Sequence, residues 1–441
     1  MIKFLMMLSI LYYEPKTFTS LKDVVEYYRP KRGFTGIVIL DRKGQEVFSY
    51  NGDAYFVPAS LNKILITSAF LHFLGPSYTF KTRLLRDLKS GNLYLLASGD
   101  PSLKVKDLFE IFSFVKSANI VSFDTLYLVD WAYDSVMYGA GWQFNNLTKS
   151  YMAPVSSFIL ENNIVKISVF NFYGMGGRIA LFPQTVFLKS FVRGGKVYRI
   201  YDLVKGDTVV TIFEGDIGKM VAAYRSIVSP EKFFREQVDS LLKILSIKVK
   251  RIEIVRDLPP LRFDTLYVYE SKPAYVLLMD FMKNSLNIYG EAFLKTLGRE
   301  LYGGKGSYEK GLAAVDSFLK VANLSDHFKP ADGSGLSRYN LATPRGFAEL
   351  LYYHYKNMNY FPEFASLLAI ANVDGTLAKN YKDLRGVFRG KTGTLAGVTN
   401  IAGYIRTKSG EDYIYVVMLN NTPGSPKYFV EKVLKFIYDT M

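Results

Sequence analysis

Two strand hairpins, one near each terminus, constrain this chain more than any other feature, because each is flanked on its outer side by a helix. "FTGIVILDRKGQEVFSY", Phe34 to Tyr50, reads as two strands around an Asp-Arg-Lys-Gly turn. "TNIAGYIRTKSGEDYIYVVMLNN", Thr399 to Asn421, reads as a second pair turning at Lys408-Ser409-Gly410. Outside the first lies "TSLKDVVEYY", an amphipathic helix with a Thr or Ser cap. Outside the second, "SPKYFVEKVLKFIYDTM" predicts a terminal helix capped by Ser425, with Pro426 at its first position. The economical arrangement is one sheet closed by both ends of the chain, an α/β core with its middle inserted.

The middle, residues 81–264, differs in texture. Stretches such as "KISVFNFYGMGGRIALFP" and "VYRIYDLVKGDTVVTIFEGDIG" are strands and turns, interrupted by one amphipathic helix from Pro230. Pro259-Pro260 marks the return to the core. A helical pattern resumes at Pro273, and another lies between Ser307 and Lys320. The expected division is therefore a core of 19–80 and 265–441 around a β-rich insertion of 81–264.

The 441 residues suffice for a large core, and 49% apolar with 22% charged is a globular composition. With no cysteine there are no disulfides and no thiol catalysis. Three histidines, His72, His327 and His354, fall in no ligand spacing, which disfavours a zinc enzyme or a histidine-based triad. A net charge of +15 is read two ways, as a lysine-rich solvated surface or as attraction to an anionic polymer or membrane surface. No finger spacing, aromatic RNA-binding motif or long basic tract points to nucleic acid. "MIKFLMMLSILYYEPK" fits a short signal-peptide core or anchor within residues 1–18, too short to span a bilayer; the alternative is an N-terminal core element. No later segment reads as transmembrane.

Chemistry enters at "VPASLNKILITSAF", where Ser60 and Lys63 stand at i and i+3 at the head of an apolar run that Gly75-Pro76 ends. A serine needs a base, and an amine serves if burial keeps it neutral. Ser-x-x-Lys occurs three times, at Ser60, Ser113 and Ser317, so the copy with company decides. Lys391-Thr392-Gly393-Thr394 occurs once, on a predicted strand, and suits a carboxylate: a charge, two hydroxyl donors and a glycine that lets another backbone approach. Ser285-Leu286-Asn287 interrupts an otherwise apolar helical region, either as a helix break with local capping or as a proton relay.

The order Ser-x-x-Lys, Ser-x-Asn, Lys-Thr-Gly is that of penicillin-interactive serine enzymes. With "PASLNK", "SLNIYGE", "DGSGLSRYN", "GKTGTLAGVTNIAGY" and, in the insertion, "GDPSL" and "GWQFNNLTKSYMAPVSSFILENN", the chain resembles the D-alanyl-D-alanine carboxypeptidase/endopeptidase family of penicillin-binding proteins. The resemblance implies a penicillin-binding, serine β-lactamase-like core: an antiparallel sheet flanked by helices plus a helical cluster, carrying the insertion. It implies that Ser60 attacks a D-Ala-D-Ala carbonyl with Lys63 as base, and that Ser285, held with Asn287, returns the proton. Lys391 and Thr392 would bind the terminal carboxylate, and backbone N–H groups of Ser60 and Thr394 would form the oxyanion hole. Substrates would be peptidoglycan stem peptides, inhibitors β-lactams and the location extracytoplasmic, with no cofactor and no metal. Trp142 and Phe144 would line a pocket for the stem-peptide side chain. Asn145-Asn146 stands there in place of the acidic residue relatives often carry, so weaker selection for a free amine is expected. Asn62 replaces a frequent glutamine. The competing readings are a β-lactamase or esterase on the same scaffold, and a wall-binding protein without catalysis.

Overall fold

The computed structural model describes residues 17–441 apart from 173–175, 194–197, 216–219, 358–359 and 425. The signal-like stretch Met1 to Lys16 and the Ser425 cap lie outside the described residues.

The two terminal hairpins share one sheet. Phe34–Asp41 pairs antiparallel with Asp412–Asn420, Phe34 opposite Asn420 and Asp41 opposite Tyr413. The full order is Ala369–Ile370, Phe388–Leu395, Val398–Arg406, Asp412–Asn420, Phe34–Asp41, Glu46–Tyr50. Period-two alternation splits each central strand between two cores. Ile37, Ile39, Tyr415, Val417 and Leu419 pack under the outer helices Leu21–Tyr28 and Lys427–Thr440. Val38, Leu40, Ile414, Val416 and Met418 face the helical cluster. The first helix is capped as predicted, Ser20 Oγ accepting the Asp23 N–H at 3.2 Å. Pro426 occupies the cap position of the last helix, one place earlier than predicted.

The cluster comprises Asn62–Phe73, Ala274–Asn284, Asn287–Tyr302, Tyr308–Ala322 and Pro344–Tyr355. In Asn62–Phe73 every side chain through Phe70 is buried, which is how a helix apolar on all sides resolves itself. The pattern that resumes at Pro273 is two helices, broken at Ser285 by a left-handed residue at φ 58, ψ 39.

The inserted region is β-rich, with corrections. Its largest sheet runs Lys248–Val255, Ser122–Val129, Leu93–Leu96, Lys81–Asp87, Phe263–Glu270. Because Phe263–Glu270 pairs with Lys81–Asp87, the chain leaves this sheet after Glu270, beyond both Pro259-Pro260 and residue 264. Among the described residues two α-helices accompany it rather than the one expected. The second is Val105–Ser117, in which Val105, Leu108, Ile111, Phe112 and Val115 repeat at helical spacing. It packs with Pro230–Ile244 in one apolar core. The insertion reaches the core domain near Tyr151 and Met152, beside Asn287.

Candidate active site

Ser60 sits in a tight 3-10 turn, Ala59–Leu61, that leads directly into Asn62–Phe73. Two asparagines of the central sheet hold the incoming segment. Asn400 Nδ2 donates to the carbonyls of Val57 and Pro58, both at 2.9 Å. Asn420 accepts the Val57 N–H at 2.7 Å and donates back to its carbonyl at 3.2 Å. Gly393 then brings Phe388–Leu395 against the turn: a Cβ there would stand 2.5 Å from the Pro58 oxygen and 3.3 Å from the Ser60 nitrogen. The predicted reason for a glycine at this position, close backbone approach, is what the structure shows.

Lys63 is fully buried and meets three groups. Its Nζ lies 2.9 Å from Ser60 Oγ, 2.8 Å from Asn287 Oδ1 and 2.6 Å from the Ser334 carbonyl oxygen. The Asn287 amide is oriented independently, because its Nδ2 donates to the Tyr151 carbonyl at 2.8 Å. Two of the three partners can therefore only accept. A neutral amine donates its two hydrogens to them and turns its lone pair to the Ser60 hydroxyl. Burial presses Lys63 down to about 7, opposed in part by the negative charges of Asp332 and Glu291. The other two Ser-x-x-Lys copies lack this setting: Lys116 is exposed, and Lys320 is exposed and paired with Asp316.

Ser285 and Lys391 form a second pair, Lys391 Nζ donating to Ser285 Oγ and to the Thr392 carbonyl, each at 3.0 Å. The left-handed backbone at Ser285 comes just before the new helix at Asn287, and the two side chains reach Lys391 and Lys63 respectively. Lys391 is fully buried and held well below the usual lysine range, by desolvation first and then by Lys63. Thr392 Oγ1 shares a hydrogen bond with Thr376 Oγ1 at 2.8 Å. Ser60, Asn287 and Thr394 line one cleft of about 560 Å³ with Tyr151, Arg338 and Leu395.

Trp142 is tied to the loop that holds Asp332. Its Nε1–H donates to Asp332 Oδ2 at 2.9 Å, and Gly141, Gln143 and Asn146 are the cleft-lining residues of this segment. The ring therefore braces the 332–340 loop, and Phe144 is 83% exposed. Sequence reasoning also gave no role to Asp332, a fully buried carboxylate that accepts from the Gly335 and Ser337 backbone, Asn340 Nδ2 and Trp142. An Asp ahead of Gly-Ser-Gly is the available signal, since that pattern closes Asx-type turns. Asn400 and Asn420 carried no signal beyond lying on predicted strands.

A model of the D-Ala-D-Ala carboxypeptidase 3 (S13) family matches residues 20–433. The chain is 26% identical over 409 residues to the D-alanyl-D-alanine carboxypeptidase DacB of Haemophilus influenzae, covering 86% of this chain and 83% of that protein. It is 25% identical over 429 residues to the D-alanyl-D-alanine carboxypeptidase of Actinomadura sp. (strain R39), covering 89% and 78% respectively. Penicillin binding protein 4 of Haemophilus influenzae shares the fold, with a TM-score of 0.85 at 23% identity over 96% of this chain and 100% of that one. A second structure of that protein, complexed with a β-lactam, gives 0.80 at 21% identity over the same shares.

Proposed function

The chain belongs to the D-Ala-D-Ala carboxypeptidase 3 (S13) family, and on that premise we propose how its own residues divide the reaction. The enzyme is a serine D-Ala-D-Ala carboxypeptidase. Ser60 attacks the carbonyl between the two D-alanines while the Lys63 lone pair takes its proton. The tetrahedral oxyanion is met by the backbone N–H groups of Ser60 and Thr394. The new ammonium at Lys63 returns its proton to the departing D-alanine nitrogen through Ser285. The C–N bond breaks, leaving the shortened peptide as an ester on Ser60, and water then releases it.

The supporting observation is the set of partners around Lys63, two pure acceptors and one hydroxyl, so that a neutral amine that donates to the acceptors keeps its lone pair for Ser60. Lys391 completes the logic. A substrate carboxylate arriving beside it favours its ammonium form, and that positive charge pushes Lys63 toward the neutral base. Stem peptides of peptidoglycan and β-lactams are the expected occupants, and such substrates place the enzyme outside the cytoplasm. Among the described residues no helix is long and apolar enough to cross a membrane.

A fluorescent penicillin tests this, with Ser60→Ala alongside. Stable label on the parent and none on the variant support the peptidase. Rapid loss of label favours a β-lactamase on the same scaffold, and no label on the parent removes both enzyme readings.

A further inference from the structure

Glu291 is a fully buried carboxylate that the steps above do not use. It stands one turn beyond Asn287 on Asn287–Tyr302, so the two side chains leave the helix on one face. Each oxygen accepts a backbone N–H, Oε1 from Ser334 and Oε2 from Gly333, both at 2.8 Å. The loop reaches the helix this closely because both facing residues lack a Cβ: one on Gly333 would stand 2.1 Å from the Gly290 oxygen. Ser334, gripped by its N–H, presents its carbonyl to Lys63 Nζ at 2.6 Å. One helix thus holds the amine twice, directly through Asn287 and through a single residue, Ser334, by way of Glu291.

We propose that Glu291 is a positioning residue for the base: it holds the N–H groups of Gly333 and Ser334 so that the Ser334 carbonyl aims the Lys63 lone pair at Ser60. The inference rests on the reading of Lys63 as base. The charged and titratable groups facing Glu291 are Asp332 on the loop, Lys63 on the nucleophile helix, Lys295 on its own helix and Tyr308 on the next. Burial, then Asp332, pushes the Glu291 carboxyl up to about 8, so below about pH 7, where Lys63 takes up its proton, Glu291 is mostly the neutral acid. A neutral side chain in its place therefore leaves the pH at which Lys63 loses its proton nearly unchanged, and the role of Glu291 is one of position.

The experiment compares parent, Glu291→Gln and Glu291→Asp. It measures the second-order rate of acylation by a fluorescent penicillin across pH, with thermal unfolding of each. Gln keeps the reach but offers one of the two N–H groups an amide NH2 in place of an oxygen. The acid limb of its profile stays near the parental pH, and the plateau falls roughly tenfold to a hundredfold as the loop loosens. Asp keeps the carboxyl and shortens the reach, so its plateau falls as well. A merely structural Glu291 would lower the unfolding temperature and leave the plateau of both folded variants at the parental rate, which overturns the proposal. If the Gln variant does not fold, the Asp variant decides, and a parental plateau overturns it. A parent that takes up no label overturns the Ser60–Lys63 reading itself. A labelled parent with both variants on its curve overturns this inference alone.

Discussion

Replacing Gly393 by alanine adds one methyl group where the Phe388–Leu395 strand meets the Ser60 turn. Its carbon would stand 2.5 Å from the Pro58 oxygen, 3.1 Å from the Leu61 nitrogen and 3.3 Å from the Ser60 nitrogen. Comfortable separation for such atoms is about 3.5 Å, so strand and turn must part by about 1 Å. All three neighbours are backbone atoms, and Asn400 and Asn420 tie the segment just before Ser60 to the sheet, so no side chain can swing aside to absorb the shift. The parting carries Lys391 and Thr394 away from Ser60. A misplacement of that size costs roughly a hundredfold in rate, and the overpacking costs about 1–3 kcal/mol of stability. The assay is the acylation rate constant with a fluorescent penicillin, beside denaturant unfolding of parent and variant. A Gly393→Ala protein that folds and acylates within about threefold of the parent refutes the reasoning, because a change that small in rate is under 1 kcal/mol of barrier.

Three other outcomes are expected. Lys391→Met removes the cation beside Ser285 and lowers kcat/KM for a D-Ala-D-Ala peptide by roughly tenfold to a hundredfold, the worth of a charge-assisted hydrogen bond; a peptide amidated at its C-terminus shows little difference between parent and variant. Trp142→Phe leaves Asp332 one donor short and costs about 1–3 kcal/mol in chemical denaturation, with a smaller effect on small-peptide turnover than Lys391→Met. Among the described residues the cleft lining contains Gln143 and Asn146 and no carboxylate, so acetylating the side-chain amine of a stem peptide changes kcat/KM by less than about threefold, whereas a carboxylate partner would make it ten or more.

Legibility followed the range of the interaction. The terminal hairpins could be read because alternation in Phe34–Asp41 and Asp412–Asn420 is written locally, and their shared sheet follows from where the two hairpins lie. Ser60 and Lys63 were legible for the same reason: spacing places them on one helix, and the apolar run after Lys63 announces burial. The helix Val105–Ser117 is also written locally, but its signal is short and lies among strand-like stretches. The bond from Trp142 to Asp332 was not legible because the two lie 190 residues apart and nothing near the indole reports the carboxylate. The sheet boundary was set early for a similar reason, since Pro259-Pro260 is a strong local break and the pairing of Phe263–Glu270 with Lys81–Asp87 is not local at all. Asn400, Asn420 and Glu291 act through backbone groups of distant loops, and such partners leave no mark on the residues that bind them.

The acid side of the acylation profile bears most directly on the neutral amine at Lys63. Acylation of Ser60 by a penicillin, followed from about pH 5 to about pH 10, is predicted to rise nearly tenfold per pH unit and level off near 7, where burial holds the amine. A rate still climbing toward the ordinary lysine value of about 10.4, or a profile that Lys63→Met leaves unchanged, would contradict the account.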